Sequence, residues 1–257
     1  ATLLRLMIQK DTTNFQFDID FPDVIRLDDG YDIEDALVTA FENDGVEDTA
    51  FIVRSNKRAN QYNQQIRMKI RGQENEISAG DYIMVVKNNY YWLKENSTAG
   101  FIANGDICEV LKIFSIKELY GFKFAEVAVR MIDYPEMPPF ETVLLLDTLT
   151  SETPSLTYEE SNKLYQAIKE DYAHEKSKSK QFLAIKKNVF FNALQVKFSY
   201  AMTCHKSQGG QWKTVFIEQP YLPEGVSKEY FRWLYTALTR AQEKLYLIGF
   251  KDDFFVD

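Results

Sequence analysis

Residues 203–212 read Thr-Cys-His-Lys-Ser-Gln-Gly-Gly-Gln-Trp, which groups one of the chain's two histidines, one of its two cysteines and a glycine pair. Three chemistries use such residues: a metal centre, a Cys–His nucleophile, and a loop that follows a phosphate chain. A zinc site needs three or four ligands. Cys204 and His205 are adjacent, while Cys108 and His174 lie far off in sequence, so no metal site is expected. Neighbouring side chains on an extended segment point to opposite faces, which disfavours a Cys–His pair and leaves Cys204 as a buried strand-end residue. The third chemistry fits the composition better. Thr203, His205, Lys206, Ser207 and Gln208 can all donate hydrogen bonds, and Gly209 and Gly210 let backbone N–H groups come close to a ligand. A plain polar turn has the same composition, so the loop alone leaves both readings open.

A second group spans residues 233–241, Trp-Leu-Tyr-Thr-Ala-Leu-Thr-Arg-Ala. Behind a Ser227 cap, Tyr230, Leu234, Ala237, Leu238 and Ala241 form an apolar helical stripe, with Arg232, Thr236, Thr239 and Arg240 on the other side. Arg240 is then either a solvated arginine paired with Glu243 or a guanidinium fork aimed at a nucleotide triphosphate.

The surrounding elements suggest how such residues are positioned. Strand signals at 24–27 and 49–53 alternate with helices, one capped by Asp32 and one opening at Ser55 and Asn56 and running toward Arg71. This β-α-β-α order implies a parallel sheet covered by helices. In the second helix Ala59, Tyr62, Ile66 and Ile70 form the core stripe. From residue 78 the pattern changes to short β-rich runs, 82–86, 108–114, 123–132 and 141–146, with Gly, Asn and Asp turns, as in a small barrel. Thr157 and Glu160 form a capping-box pattern that opens a helix. A lysine-rich connector at 176–180 and a further helical segment to residue 194 follow. The α/β style then returns with strands at 196–202, 214–217 and 245–248.

The 257 residues, 45% of them hydrophobic, can bury a large core. No apolar run approaches the roughly 18 residues of a membrane span, and two separated cysteines make no disulfide framework, so a cytoplasmic protein is expected. The net charge of −8 argues mildly against a protein that coats nucleic acid, without excluding a local basic groove. Five basic residues, Lys57, Arg58, Arg67, Lys69 and Arg71, form either such a patch or a solvated helix face.

Together, the 203–212 loop and the 233–241 segment resemble the fifth and sixth motifs of superfamily 1 helicases, and the His-Lys-Ser-Gln-Gly form is similar to the RecD/Dda branch. Residues 79–90, with Asn104-Gly105-Asp106-Ile107 and Glu109-Val110, resemble that branch's SH3-like barrel. Residues 52–56 with Asn63 and Ile66-Arg67 resemble the strand and helix before it. The resemblance implies a RecA-like α/β motor domain of the P-loop-NTPase type, with its parallel sheet interrupted by the barrel and a helical segment. Its boundaries would be 1–76 and 196–257 for the motor parts, 77–150 for the barrel and 151–195 for a helical arm.

It further implies Arg240 as an arginine finger, with Gln208, Gly209, Gln211, Tyr235 and Thr239 near ATP. Thr203, His205, Lys206 and Asn56 would lie along single-stranded DNA, with Asn89, Tyr90 and Asn104 as barrel contacts. At position 211 the family commonly has Glu, which accepts from a ribose hydroxyl, whereas Gln lacks the charge. The sequence contains no G-x-x-x-x-G-K-[ST] and no strand ending in Asp-Glu. The expectation is therefore the second half of a larger 5′→3′ helicase, similar to an exodeoxyribonuclease V alpha subunit. Such a chain is inactive alone and relies on an N-terminal motor domain of the same polypeptide for most contacts to ATP and Mg2+. The alternatives are a stand-alone nucleic-acid-binding module and a non-catalytic interaction domain with a relic fold.

Overall fold

The computed structural model describes residues 2–10, 15–93 and 97–256. In chain order the first elements are α1 (Thr2–Lys10), β1 (Val24–Leu27), α2 (Gly30–Asn43), β2 (Thr49–Val53) and α3 (Asn56–Gln65), the last continued by a π-helix at Ile66–Ile70. Four strands follow: β3 (Tyr82–Val85), β4 (Ile107–Leu119), β5 (Phe122–Met131) and β6 (Phe140–Leu145). Next come α4 (Asp147–Thr150), α5 (Tyr158–Asp171), α6 (Lys178–Lys187) and β7 (Leu194–Phe198). The chain ends with β8 (Ala201–Thr203), β9 (Trp212–Glu218), α7 (Lys228–Leu238) and β10 (Ala241–Ile248), then a short 3-10 turn. Two compact units result, Ala1–Gly72 with Tyr200–Asp257, and Gln73–Ser199.

The first unit is built on an all-parallel sheet of order β1-β10-β9-β2-β8. Every residue of β2 is buried, as its unbroken Thr-Ala-Phe-Ile-Val run requires of a strand covered on both faces. Asp29, rather than Asp32, caps α2: its carboxylate accepts from the Tyr31 N–H at 2.8 Å, while Asp32 lies in the first turn, where the helix dipole favours a negative charge. Ser55 caps α3, as expected. Asn63, on the inner face of α3, both donates to the Ala201 carbonyl at 2.8 Å and accepts from the Ala201 N–H at 2.7 Å, so a side chain supplies β8 with pairing on its open side.

The second unit is a closed barrel, β3-β4-β5-β6-β7, in which β7 runs antiparallel to β3 and parallel to β6. Leu164 and Ile168 of α5 and Ile185 of α6 pack into one cluster with Phe122, Phe124, Val143 and Leu145 of the barrel wall. The Thr157–Glu160 capping box is present. The parallel α/β sheet and the small barrel expected from the sequence are thus both present.

Beyond the Asp32 cap, three local expectations fail: the helical segment expected through residue 194 stops at Lys187, Leu194 already opening β7, and two further elements break or end early. The single strand over 196–202 is two strands that pair in different sheets: β7 closes the barrel, and β8 joins β2 after a break at Ser199 and Tyr200. Both break residues are buried, with the Tyr200 ring against Phe41, so the run keeps its apolar character while its partner changes. The helix expected to reach Ala241 ends at Leu238. The Thr239 hydroxyl bonds back to the carbonyls of Tyr235 and Thr236, both at 3.0 Å, and Ala241 pairs with Trp212 to begin β10.

Candidate functional site

Register fixes where the 204–211 loop runs. Thr203 pairs with Val53 at the carboxyl end of β2, and the strand after the loop begins at Trp212, with Thr214 opposite Thr49 at the amino end. The loop therefore travels from one edge of the sheet to the other. Ligands of open α/β sheets gather at carboxyl edges, which is where the sequence places the whole motif. Only its Thr203 end lies there; its glycine end lies at the amino edge.

At that amino edge the two predicted motifs meet. The Arg240 guanidinium donates to the Gly210 carbonyl, the Thr236 carbonyl and the Thr239 hydroxyl, each at 3.0 Å, and the Arg240 carbonyl accepts from the Trp212 N–H at 3.0 Å. All three acceptors of the guanidinium are neutral, so Arg240 is neither fully solvated nor paired with Glu243. The Thr239 hydroxyl is thus one of the three acceptors of the guanidinium. Tyr235 contributes through its carbonyl, which accepts from the Thr239 hydroxyl. Gln208 and Gly209 are exposed, and the Gln211 amide oxygen accepts from Gln242 at 3.3 Å.

Trp212 and Thr236 were given no site role by sequence, and Gly210 only that of opening the loop backbone to a ligand. The two glycines differ in kind. Gly209 has φ +92°, with open space where a side chain would start. Gly210 has ordinary φ, but a Cβ there would overlap the buried Trp212 indole. Gly210→Ala should therefore destabilise the protein by about 1–3 kcal/mol through overpacking and move the carbonyl away from Arg240. Thermal denaturation should show a larger loss for Gly210→Ala than for Gly209→Ala, which meets backbone strain alone; the reverse order would refute the packing account.

At the carboxyl edge Thr203 is half-buried, His205 is exposed, and burial lowers the Lys206 ammonium from its ordinary range. Asn56 begins α3 just beyond Val53, the partner of Thr203. The basic residues of α3 and its extension do not share one environment: Lys57 is exposed, and the other four are engaged or buried. Arg58 is held by Glu218, Gln61 and Tyr62; Lys69 pairs with Glu34; Arg67 is buried; and the Arg71 guanidinium lies over the Tyr200 ring. The bond to Glu218 raises Arg58 further above its ordinary value.

Residues 198–248 match the UvrD-like helicase C-terminal domain. This UvrD-like stretch contains β8, the traversing loop, β9, α7 and β10, hence the whole Gly210–Arg240 contact. No curated protein sequence matches the chain. A Pif1 helicase from Bacteroides in complex with ADP-AlF3 and ssDNA is similar at 12% identity and a TM-score of 0.43, over 88% of this chain and 47% of that one. Pif1 helicase from Candida albicans is similar at 12% identity and a TM-score of 0.33, over 100% of this chain and 52% of that one. The chain thus spans about half the length of these structures.

Within the UvrD-like stretch Cys204 is buried, its Sγ 3.4 Å from the Trp233 carbonyl, and burial pushes its thiol up to about 11. Cys108, in the barrel, is pushed up to about 12, again by burial. Since the thiolate is the reactive form, neither cysteine should alkylate in the folded protein at pH 8, and both should after denaturation, as read by intact mass. Rapid labelling of folded protein would contradict this. The same shifts make stability fall as pH rises from about 9 toward 11, because the unfolded thiols lose protons first.

Three further predicted contacts lie in the barrel unit. Asn89 is committed internally: its amide donates to the Asn192 carbonyl at 2.9 Å and accepts from the Tyr91 N–H at 2.9 Å. It therefore shapes the loop rather than offering its side chain to a ligand. Tyr90 is 71% exposed and stacks on Phe101 with centroids 4.8 Å apart. Asn104 is exposed, and its N–H donates to Asn88. Among the described residues no helix is long and apolar enough to cross a membrane.

Proposed function

We propose that this chain is the second motor domain of an ATP-dependent DNA helicase of the RecD/Dda type, acting with an N-terminal motor domain of the same polypeptide. The observation that carries this reading is the Arg240 guanidinium on the Gly210 carbonyl, at the end of a loop whose other end reaches Thr203 across the sheet. One continuous segment joins a surface suited to a DNA backbone (Thr203, His205, Lys206 and Asn56) to a surface suited to a triphosphate (Gln208, Gly209, Gln211, Thr239 and Arg240).

The donor set fits ATP. A half-buried guanidinium with only neutral partners keeps its full charge for a phosphate oxygen, and an open glycine backbone admits close approach. Bound ATP would supply the phosphoanhydride whose cleavage drives movement. Arg240 would neutralise charge on the transferring group while Thr239 orients the fork. Mg2+ fits less well here: among the described residues no group of three His, Cys, Asp or Glu side chains could hold it. Its ligands would therefore come from the other motor domain, and the present chain would neither hydrolyse ATP nor unwind DNA alone. The 5′→3′ direction rests on the branch resemblance. The test is DNA-stimulated ATP hydrolysis by the full-length protein carrying Arg240→Ala, with nucleotide binding measured separately.

A further inference from the structure

The barrel unit holds a cleft of about 570 Å³. One wall is the loop carrying Lys87, Asn88 and Tyr90; the other combines α5 with residues 186–193. The walls are tied together before any ligand arrives. The Tyr91 hydroxyl donates to the Lys187 carbonyl at 2.9 Å, and the Trp92 indole and the Asn89 amide donate to the Asn192 carbonyl at 2.7 and 2.9 Å. Tyr165 packs edge-on against Phe191 on the far side.

What remains outward is aromatic and basic. Tyr158, the first residue of α5, is 87% exposed, and Tyr90 reaches the same cleft from the opposite wall. Two tyrosines from separate elements at one cleft offer faces on which flat rings can stack. Lys87 and Lys186 line the cleft, and among its described lining residues there is no carboxylate, although the whole chain has 38 acidic residues against 30 basic ones. Asn162 adds an amide able to pair with a base edge. Aromatic faces beside ammonium groups, without acidic residues, suit a flexible polyanion that carries rings. They suit a proline-rich peptide less well, because a basic anchor on such a peptide would find no carboxylate.

We infer that this cleft is a single-stranded nucleic-acid site, with Tyr158 and Tyr90 stacking on bases and Lys186 and Lys87 facing phosphates. It shares Tyr90 with the motor reading and goes beyond it in α5, Lys87 and Lys186, to which that reading assigns nothing; the cleft geometry stands without it. The test uses the 257-residue chain and a fluorescent oligothymidylate at low salt, read by anisotropy. Tyr158→Ala should weaken binding about fivefold or more, Tyr158→Trp should restore it, and Lys186→Glu should weaken binding and flatten its salt dependence. Undetectable binding by the unmodified chain, or wild-type affinity in both Tyr158→Ala and Lys186→Glu, overturns the proposal. So does displacement of the oligonucleotide by a proline-rich peptide with no effect of Lys186→Glu. Thr203→Ala separates the two readings. Loss in Thr203→Ala without loss in Tyr158→Ala removes the cleft and leaves the motor track, whereas the opposite pattern keeps the cleft and removes the track.

Discussion

Arg240→Ala in the full-length protein should lower DNA-stimulated ATP turnover by about 10³–10⁵ while leaving ATP binding largely intact. That fall corresponds to about 4–7 kcal/mol of transition-state stabilisation. The expectation rests on the partners of the guanidinium. Its bonds to Gly210, Thr236 and Thr239 are all to neutral oxygens, whereas a phosphate oxygen would add the attraction between opposite full charges. The arginine is therefore held in place without being neutralised. Because the stabilised charge develops during transfer, the loss should fall on kcat rather than on KM. Arg240→Lys should recover little, since an ammonium cannot reproduce the three-way fork that Gly210 and Thr239 now orient. Unchanged turnover in Arg240→Ala would remove the finger assignment and with it the main support for the motor reading.

The second large effect is on stability. Asn63→Ala should destabilise the sheet unit by about 2–5 kcal/mol, because it strands both the N–H and the carbonyl of Ala201 in a buried setting, each orphan costing about 1–3 kcal/mol. β8 has only three residues and a backbone partner on one side, β2, so the Asn63 amide stands in for a neighbouring strand. Asn63→Asp should also destabilise, since it keeps the acceptor and turns a carboxylate oxygen toward the Ala201 carbonyl. The urea midpoint reads the loss, and single-strand affinity should fall with it, because Thr203 ends the strand that Asn63 secures. A midpoint equal to wild type would show that β8 does not need the amide.

The sequence reveals elements whose burial pattern is local. β2 is an unbroken apolar run, the caps of α3, α5 and α7 are polar residues just before a periodic stripe, and the motif residues of 203–212 and 233–241 are conspicuous by type. It conceals what depends on partners. The run 196–202 contains no Gly, Pro, Asn or Asp, and one serine is too weak a signal to mark Ser199 and Tyr200 as the point where pairing passes from barrel to sheet. The location of Gly210 and Arg240 at the amino edge follows from strand register, which composition does not encode. Asn63 and Arg67 lie among helical polar residues that look solvent-facing until β8 and the sheet cover them. Gly210 looks interchangeable with Gly209 in sequence, whereas backbone conformation and the indole two residues on distinguish them.

The path of the 204–211 loop also has a metric consequence. From Thr203 to Trp212 the chain must advance about six strand residues and cross two strand spacings, about 22 Å in all. Nine peptide units drawn straight reach about 30 Å. About 8 Å of contour length is thus wound into the turns between Cys204 and Gly210, where the Lys206 and Ser207 N–H groups both close on the Thr203 carbonyl. That reserve would let residues 204–210 rearrange between the two ends while Thr203 stays paired with Val53 and Trp212 with Ala241.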